Sequence, residues 1–307
     1  MKAVVYNIYG PPEVLHITEI EKPVPADNQI LIKIHATTCH IGDVRVRKFN
    51  IPFPFNIPAR FYLGLFKPKR QTLGMELAGE VEAIGKDVKK FKPGDKVFGT
   101  TGFQFGAYAE YICMAETTVK TRNGLITFMP KNMSYEEAAA GLATGGLTVL
   151  SGLKKAKISK GSKVMVYGAS GSVGTYAVQL AKYFGAEVTG VCSTANIDMV
   201  KSLGADNVID YTKEELTKYG KDYGFVYDTV YKLPKSKGKK LLAEKGVYLR
   251  AGAGEKIKPE DLEFLKGLAE EGKLKAIIDR TYPLEEIIQA HRYVGKGHKK
   301  GHVVITV

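Results

Sequence analysis

No stretch of this sequence is long and apolar enough to predict a membrane-spanning helix. The longest weakly charged run, residues 138–153, is shorter than the roughly 20 apolar residues that cross a bilayer, and glycines and threonines interrupt it. The opening residues, MKAVVYNIYGPPEVLH, predict a strand and a turn and lack the apolar centre of a signal peptide. We therefore expect no membrane partner and a cytoplasmic location.

Cysteine is also scarce. The three cysteines, Cys39, Cys113 and Cys192, are odd in number, far apart and without a CxxC pair. They can build neither a disulfide framework nor a cysteine-rich zinc lobe. This pattern favours a reducing compartment.

Acidic residues are too few to balance the basic ones, because 32 Asp and Glu stand against 45 Lys and Arg, and the net charge is +13. Such a charge attracts polyanions, so nucleic acid is one candidate partner. The densest basic patches, 67–70, 154–163 and 235–240, fall in predicted connections, without interleaved aromatics or a nucleic-acid-binding motif. Solvated surface, or steering of a phosphate-bearing ligand, is therefore the preferred interpretation.

The 307 residues leave room for two domains. Residues 1–125 contain short β-rich runs separated by Gly and Pro, which predict a mostly antiparallel β domain. In residues 126–255, strands alternate with helices, as in a parallel sheet with helices on both faces. Residues 256–307 predict helix, strand, helix and a last buried strand, and we expect this segment to return to the first domain. The fold class is α/β.

The strongest motif is a glycine loop between an apolar strand and an amphipathic helix, in KVMVYGASGSVGTYAVQLAK. Gly168 suits a tight turn, Gly171 lets backbone N–H groups approach a pyrophosphate, and Gly174 allows close packing of helix and strand. The flanking elements make dinucleotide binding the preferred interpretation over a structural turn. The predicted cofactor-binding residues of this loop are Gly168, Ser170, Gly171, Ser172, Val173 and Gly174.

The residue after the second strand predicts the choice of cofactor. A fold that prefers NAD usually carries Asp or Glu there, but this chain has Ser193. A hydroxyl can bind a 2′-phosphate that a carboxylate would repel, and Thr194 and Lys201 could add a donor and a positive charge. NADPH is therefore the predicted cofactor, although Lys201 could equally point to solvent. Tyr211 could flank the adenine ribose or be a half-buried structural tyrosine.

Several motifs in this order resemble the medium-chain dehydrogenase/reductase superfamily and, within it, the zinc-free quinone oxidoreductase branch. The motifs are GMELAGEVEAIG, FKPGDKVFG, GASGSVGTYAVQLAK and LGADNVIDYT, and the resemblance covers essentially the whole chain. It implies a GroES-like catalytic domain and a Rossmann domain with NADPH in the cleft between them. It also implies hydride transfer to a quinone or an α,β-unsaturated carbonyl compound.

The resemblance also explains the stretch TTCHIGD, residues 37–43. Zinc-dependent relatives carry a cysteine ligand where Cys39 falls and a histidine ligand where this chain has Met75. The third ligand lies near residues 138–146, which here contain no Cys, His or carboxylate. Cys39 and Glu76 alone would make two donors, whereas a catalytic zinc site normally needs three. We therefore expect no metal.

The resemblance gives candidate catalytic residues at the same stretch. An asparagine often stands where His40 falls, with an aspartate where Asp43 falls. His40 could donate to the substrate oxygen, shuttle a proton, or only fill a polar position; Asp43 could set a helix start or orient its neighbours. Thr148 matches a threonine near the nicotinamide, and helix capping is its alternative role.

Two segments bear on the substrate and on assembly. Residues 49–70 are apolar, aromatic and proline-rich, so they could roof a site for a bulky hydrophobic substrate or form a packed structural loop. Only five strands of the parallel sheet can be counted, and the sixth edge strand, through which family members commonly dimerise, is missing. We therefore expect a monomer.

The missing strand also affects the cofactor site. The stretch AGAG, 251–254, normally helps to hold the nicotinamide, which makes Ala251 and Gly252 candidate cofactor-binding residues. Shortening the loop beside them could leave NADPH bound without a productive hydride geometry. Three rival functions remain: a zinc-type alcohol dehydrogenase, a crystallin-like NADPH-binding protein with little turnover, and a nucleic-acid-binding role driven by the basic charge.

Overall fold

The structure is a computed structural model that describes residues 1–51, 56–116, 124–220, 222–252 and 257–307. Its fourteen described strands are Lys2–Val5 (β1), His16–Glu19 (β2), Gln29–Thr38 (β3), Glu76–Ile84 (β4), Lys96–Thr100 (β5), Tyr111–Ala115 (β6), Leu125–Phe128 (β7), Lys163–Tyr167 (β8), Glu187–Cys192 (β9), Asn207–Asp210 (β10), Tyr223–Asp228 (β11), Leu242–Arg250 (β12), Ile278–Pro283 (β13) and His302–Thr306 (β14).

The α-helices of the described residues are Ile41–Lys48 (α1), Asn56–Leu63 (α2), Tyr135–Ala139 (α3), Leu147–Lys155 (α4), Ser172–Tyr183 (α5), Ile197–Ser202 (α6), Lys235–Lys240 (α7), Pro259–Glu270 (α8) and Ile287–Gly295 (α9). A π-helical turn, Leu142–Gly146, precedes α4. Among these described helices, none reaches the length and apolarity needed to span a bilayer.

The chain divides into two compact units. Unit 1 comprises residues 1–144 and 278–307, and unit 2 comprises residues 145–277. The sequence analysis placed these divisions at 125 and 255, earlier than they fall in the structure. Residues 126–144 stay with unit 1 because β7 pairs with β5 and α3 packs on β3 and β4; residues before 278 stay with unit 2 because α8 packs on α4.

The main sheet of unit 1 has the strand order β13-β14-β3-β4-β5-β7, and β6 also pairs with β3. Ile30, Ile32 and Ile34 of β3 are buried in one core cluster because alternate side chains of a strand share a face. The last strand, β14, runs antiparallel to β3, so the carboxyl-terminal residues 278–307 belong to unit 1. Strands on both sides of β3 therefore fix the end of that strand, where residues 38–40 begin the candidate site.

The sheet of unit 2 is parallel throughout, with the strand order β10-β9-β8-β11-β12. Its carboxyl ends lie along one edge, and α5 follows β8 through the glycine loop. Within the described residues no sixth strand joins this sheet, which agrees with the sequence prediction, and β12 is one of its edges.

One predicted connection is wrong. The basic patch 235–240 was expected to be a loop, but it forms α7, which packs on β12. Its lysines are exposed, and only Gly238, which faces the ring of Tyr248, is buried. The patch is therefore a solvated helix face with a single glycine contact on the sheet.

Candidate active site

In unit 1 the candidate site begins where β3 ends and α1 starts. His40 is the N-cap of α1, and its Nδ1 accepts a hydrogen bond from the backbone N–H of Gly42 at 3.0 Å. In return, Asp43 Oδ2 accepts from the backbone N–H of His40 at 3.0 Å. This reciprocal capping box, more usual with Ser or Thr, fixes the imidazole at the helix start.

The hydrogen bond at Nδ1 determines the chemistry of His40. Burial lowers the pKa of His40 to about 3, and the nearby charges of Lys299 and Arg45 act in the same direction. The imidazole is therefore neutral near pH 7, and because Nδ1 accepts, the proton lies on Nε2. This residue can donate a hydrogen bond from Nε2, but it cannot carry an extra proton.

Asp43 is fully buried beneath the helix start. Its Oδ1 accepts from the backbone N–H of Gly74 at 3.1 Å, and the Tyr108 hydroxyl lies against its carboxyl group and the Cys39 thiol. Burial raises the pKa of Asp43 to about 7, although both backbone hydrogen bonds oppose the rise. The aspartate thus ties the start of α1 to the chain before β4.

The same region fails as a zinc site. Burial raises the pKa of the Cys39 thiol, so the thiolate that zinc requires is disfavoured. The Met75 sulfur packs beside Gly42 and His40, where a Cβ on Gly42 would lie 3.3 Å from that sulfur. Among the residues that the structure describes, no group of three His, Cys, Asp or Glu could hold a metal ion. These donors do not fit a catalytic zinc ion.

Two further charged residues, Glu76 and Lys299, lie in this region, and the sequence indicated Glu76 only as a possible zinc donor. Glu76, at the start of β4, is 2% exposed and accepts a hydrogen bond from the Thr38 hydroxyl, and burial raises its pKa to about 6. Burial lowers the pKa of Lys299 to about 8, while interactions with Cys39 and Glu76 oppose that change. The Lys299 ammonium donates to the Gly301 carbonyl at 2.5 Å, so a cation is held beside this acid.

In unit 2 the geometry of the glycine loop accounts for each of its three glycines. Gly168 has φ of 83°, in the left-handed region that favours glycine. A Cβ on Gly174 would lie 2.1 Å from the Gly168 carbonyl oxygen, so only glycine fits there. A Cβ on Gly171 would meet nothing closer than 3.5 Å. The loop therefore keeps open space at the N-terminus of α5, where a phosphate group would bind.

The remaining loop residues take different positions. Ser172 and Val173 form the first turn of α5, where the Ser172 carbonyl accepts from the Thr175 hydroxyl. Ser170 precedes the helix, and Asn196 Nδ2 donates to Ser170 Oγ at 3.2 Å and to Ser193 Oγ at 3.1 Å. Asn196, which the sequence analysis missed, thus links the predicted phosphate loop to the predicted ribose-binding position.

The structure does not leave Thr194 as an available donor. Its hydroxyl donates to Asp210 Oδ2, and hydrogen bonds from Thr194 and Thr212 lower the pKa of Asp210. Asp210 reaches this position because β10 pairs in parallel with β9 and sets Asp210 opposite Cys192. The sequence has no acidic residue at position 193, but the Asp210 carboxylate of the neighbouring strand β10 lies next to this position.

Lys201 and Tyr211 are both on the surface of unit 2. Lys201 is exposed on α6 and makes no hydrogen bond or ion pair with Ser193 or Thr194 in the described structure. Tyr211 is 49% exposed after β10, with its ring 6.4 Å from that of Tyr167. Tyr211 therefore lies at the carboxyl edge of the sheet, and Lys201 is not drawn toward Ser193.

Ala251 and Gly252 follow β12 at the same edge. The Ala251 N–H donates to the Asp228 carbonyl at 3.0 Å, and the Tyr231 hydroxyl donates to the Ala251 carbonyl. Asp228 is fully buried and accepts from the N–H groups of Val230 and Tyr231. The loops after β11 and β12 are therefore tied together; residues 253 and 254 of the predicted nicotinamide stretch lie outside the described residues.

Thr148 lies in the first turn of α4, and its carbonyl accepts from the Tyr227 hydroxyl at 3.3 Å. The site residues missed from sequence are Asn196, Asp210, Asp228 and Lys299, whereas Glu76 was considered only as a possible zinc donor. No local sequence pattern indicates these residues, because the contact of Asp210 with Thr194 depends on the register in which β10 pairs with β9.

Comparison with known proteins places the chain in a family. Residues 26–123 match the family described as alcohol dehydrogenase GroES-like domain, and residues 235–305 match the one described as zinc-binding dehydrogenase. A chloroplast envelope quinone oxidoreductase homolog of Arabidopsis thaliana is 33% identical over 339 residues, covering 99% of this chain and 98% of the relative. The chain belongs to the medium-chain dehydrogenase/reductase superfamily, in its quinone oxidoreductase branch.

Further relatives agree. A chloroplastic NADPH-dependent alkenal/one oxidoreductase of Arabidopsis thaliana is 30% identical over 328 residues, covering 99% of this chain and 79% of the relative. The quinone oxidoreductase structure from Coxiella burnetii superposes with a TM-score of 0.82 at 29% identity, covering 100% of this chain and 99% of that one. The predicted family and the fold class, a GroES-like unit with a Rossmann unit, are confirmed.

Membership of this branch makes the chain a pyridine-nucleotide-dependent oxidoreductase of the medium-chain reductase type. The 339 aligned positions of the first relative exceed the 307 residues of this reductase, so that relative has segments without a counterpart here. This excess is consistent with the missing edge strand. The match to a family described as zinc-binding dehydrogenase does not imply a zinc site in this chain, because the residues around Cys39 lack the required ligands.

Proposed function

We propose that this reductase transfers hydride from NADPH to quinones or α,β-unsaturated carbonyl compounds without zinc, as a cytoplasmic monomer. The observation that carries the proposal is His40, a neutral imidazole held at a helix start with its proton on Nε2. The names of the relatives support this substrate class, since they include quinone oxidoreductases and an alkenal/one oxidoreductase. The three free cysteines support a reducing compartment.

Residues of unit 2 would hold the dinucleotide. The open space at Gly171 would take the pyrophosphate against the N-terminus of α5, and Ser193, oriented by Asn196, would bind the adenosine ribose. Ala251 and Gly252 would support the nicotinamide end through their contacts with Tyr231. When bound, the nicotinamide supplies the hydride.

Some features of unit 2 favour NADPH over NADH, and one feature disfavours it. The Ser193 hydroxyl and the NADPH-dependent relative favour NADPH. The Asp210 carboxylate, which is engaged by Thr194 and Thr212, would repel a 2′-phosphate that came too close. We propose that NADPH is preferred because its 2′-phosphate bonds to Ser193, and that Asp210 limits this preference so that NADH is also oxidised.

The chain's own chemistry in unit 1 is hydrogen bonding to the substrate oxygen. Negative charge develops on a carbonyl or quinone oxygen as hydride adds to the conjugated carbon, and a donor aimed at that oxygen stabilises the transition state. His40 Nε2 is such a donor, and the low pKa makes it a poor proton shuttle. Asp43 does not touch the imidazole; it holds the backbone of His40 and so acts as a positioning residue.

The test is an assay of NADPH and NADH oxidation against a panel of quinones, enals and enones, with and without a metal chelator. We expect chelator-insensitive turnover in the wild type and a loss of about 100-fold in kcat in His40→Ala. His40→Asn should retain most of the activity because its amide can still donate. His16→Ala, at an exposed histidine of β2, is the matched control.

The outcomes separate the rival functions. Alcohol oxidation that is lost on chelation would favour a zinc alcohol dehydrogenase. Tight NADPH binding without oxidation across the whole panel would favour a crystallin-like binding protein. Unchanged turnover in His40→Ala would refute the role of His40 while leaving the reductase function in place.

A further inference from the structure

The outer surface around α2 is unusually apolar. Ile57 and Phe61 are 55% and 64% exposed, Leu65 is 51% exposed and Phe66 is 92% exposed. Tyr62, itself 51% exposed, donates from its hydroxyl to the backbone carbonyl of Phe103 at 3.1 Å, and the Phe103 side chain is also 51% exposed. We call this set the α2 surface: Ile57, Phe61, Tyr62, Leu65, Phe66 and Phe103. Several large apolar side chains exposed on one short segment are unusual and favour an interaction site.

The α2 surface is held in place by the inner side of the same segment. Leu63 is buried, and the Tyr9 hydroxyl donates to the carbonyls of Leu63 and Gly64 at 3.0 and 3.1 Å. Arg60 lies over the Phe49 ring, with its guanidinium carbon 3.4 Å from the ring centroid, and donates to the Leu65 carbonyl. The segment is therefore anchored to the rest of unit 1, and its apolar side chains are exposed although the segment itself is well packed.

The charged residues in this stretch of the sequence have one sign only. Residues 44–75 contain seven Lys and Arg and no Asp or Glu. Lys48, Lys67, Lys69 and Arg70 are exposed, and Lys69 donates from its ammonium to the Phe61 carbonyl at 3.0 Å, so its charge lies against the backbone of α2. These four basic residues, which we call the cationic border, flank the large apolar side chains of the α2 surface.

We propose that the α2 surface docks on the surface of an anionic lipid bilayer. Aromatic and aliphatic side chains enter the boundary between headgroups and acyl chains, and neighbouring Lys and Arg bind the anionic headgroups. A second copy of this chain fits less well, because two such surfaces would bring like charges together. The expected absence of a membrane partner rests on the lack of a spanning helix in the sequence, and peripheral docking does not need such a helix.

The experiment is co-sedimentation of the full chain with phosphatidylcholine vesicles that contain phosphatidylserine, at low and high salt. We expect binding that weakens with salt and is lost on pure phosphatidylcholine. Removing two border charges in Lys67→Gln/Arg70→Gln should weaken binding about 30-fold. Phe61→Ser/Phe66→Ser should weaken it at least about tenfold, since two exposed rings no longer enter the bilayer.

Two control variants make the test specific. Lys235→Gln/Lys239→Gln removes the same charge from α7, and Val24→Ser removes an apolar side chain that is 85% exposed elsewhere in unit 1. Both should bind like the wild type. Circular dichroism checks that every variant is folded.

Three results would overturn the proposal. One is the absence of binding to anionic vesicles at low salt. Another is an equal loss of binding in the α7 variant, which would assign the attraction to net charge alone. The third is a dimer in light scattering that Phe61→Ser/Phe66→Ser dissociates, which would make a second copy the occupant. None of these results depends on reductase activity.

Discussion

Arg47 of α1 donates from Nε to Nδ1 of His291 in α9 at 3.2 Å, and both side chains are completely buried. The two residues are 244 positions apart in the sequence and join the two segments that make up unit 1. Arg47 Nη1 also donates to the Gly10 carbonyl at 2.9 Å. A buried guanidinium is therefore held by a neutral imidazole and a carbonyl.

This relationship predicts unequal effects of removing each partner. Replacing the acceptor in His291→Leu should destabilise the protein by about 2 kcal/mol, because a buried charged donor loses its hydrogen bond. Arg47→Met should cost less, since it also removes the desolvated charge. The double variant should be more stable than the sum of the single effects implies, and urea denaturation of all four proteins measures the coupling. Additive effects would contradict the pairing.

The same histidine predicts acid sensitivity. Burial and the Arg47 charge lower the pKa of His291 to about 3, so between pH 6.5 and 3 the unfolded chain binds a proton that the folded chain does not. Stability should therefore fall as pH drops below about 6.5. His291→Gln keeps an acceptor but does not titrate, so its stability should decline less over this range. Parallel curves for wild type and variant would refute the assignment.

Asp43 predicts the opposite pH dependence. Its folded-state pKa is about 7, above the value of an unfolded aspartate, so the folded state gains stability at low pH and loses it as pH rises through 7. Asp43→Asn mimics the protonated form and can still accept one backbone hydrogen bond. The variant should be less stable than the wild type at pH 5, and that difference should shrink by at least about 1 kcal/mol at pH 8. Thermal unfolding at the two pH values tests this.

The glycine loop predicts that one Gly→Ala substitution will lower stability and that another will weaken NADPH binding. Gly174→Ala places a Cβ 2.1 Å from a carbonyl oxygen and should cost about 2 kcal/mol or more in stability. Gly171→Ala should keep the thermal midpoint but weaken NADPH binding, because the new methyl group enters the proposed phosphate space. Gly267→Ala in α8, where a Cβ meets nothing within 4 Å, is the control. Normal NADPH affinity in folded Gly171→Ala would argue against that phosphate position.

Lys299 predicts an alkaline limit to activity. Its pKa is lowered to about 8, so its positive charge beside Cys39 and Glu76 is lost above that pH. If this charge helps to stabilise the developing oxyanion, kcat/KM should fall as pH rises through 8. Lys299→Met should have lower activity at pH 7 and no such decline. A wild-type decline that persists unchanged in Lys299→Met would assign it to another group.

The uncovered edge strand β12 predicts the assembly state. The described sheet of unit 2 ends at this fifth strand, and the family resemblance implies that dimers form through a sixth, so we expect a monomer. Light scattering during size-exclusion chromatography should give the mass of one chain. A stable dimer at micromolar concentration would contradict the prediction.

Much of unit 2 could be predicted from sequence, because its information is local. The apolar run before Gly168 and the helical period after Gly174 gave β8 and α5 within one residue at most boundaries. The hydrogen bonding and protonation of the candidate-site residues depend on residues that are distant in the sequence. The capture of Thr194 by Asp210 depends on strand register, and the low pKa of His40 depends on burial by distant segments. Sequence patterns therefore located His40 but could not decide between donor and proton shuttle.

The interleaved strand order of unit 1 has a consequence for biosynthesis. Because β14 lies between β3 and β13, the main sheet of unit 1 can be completed only after residues 302–306 have left the ribosome. Residues 145–277 form a continuous unit and can fold earlier during translation. Unit 2 should therefore fold first, and the edge of β3 should remain unpaired until β14 has been synthesised.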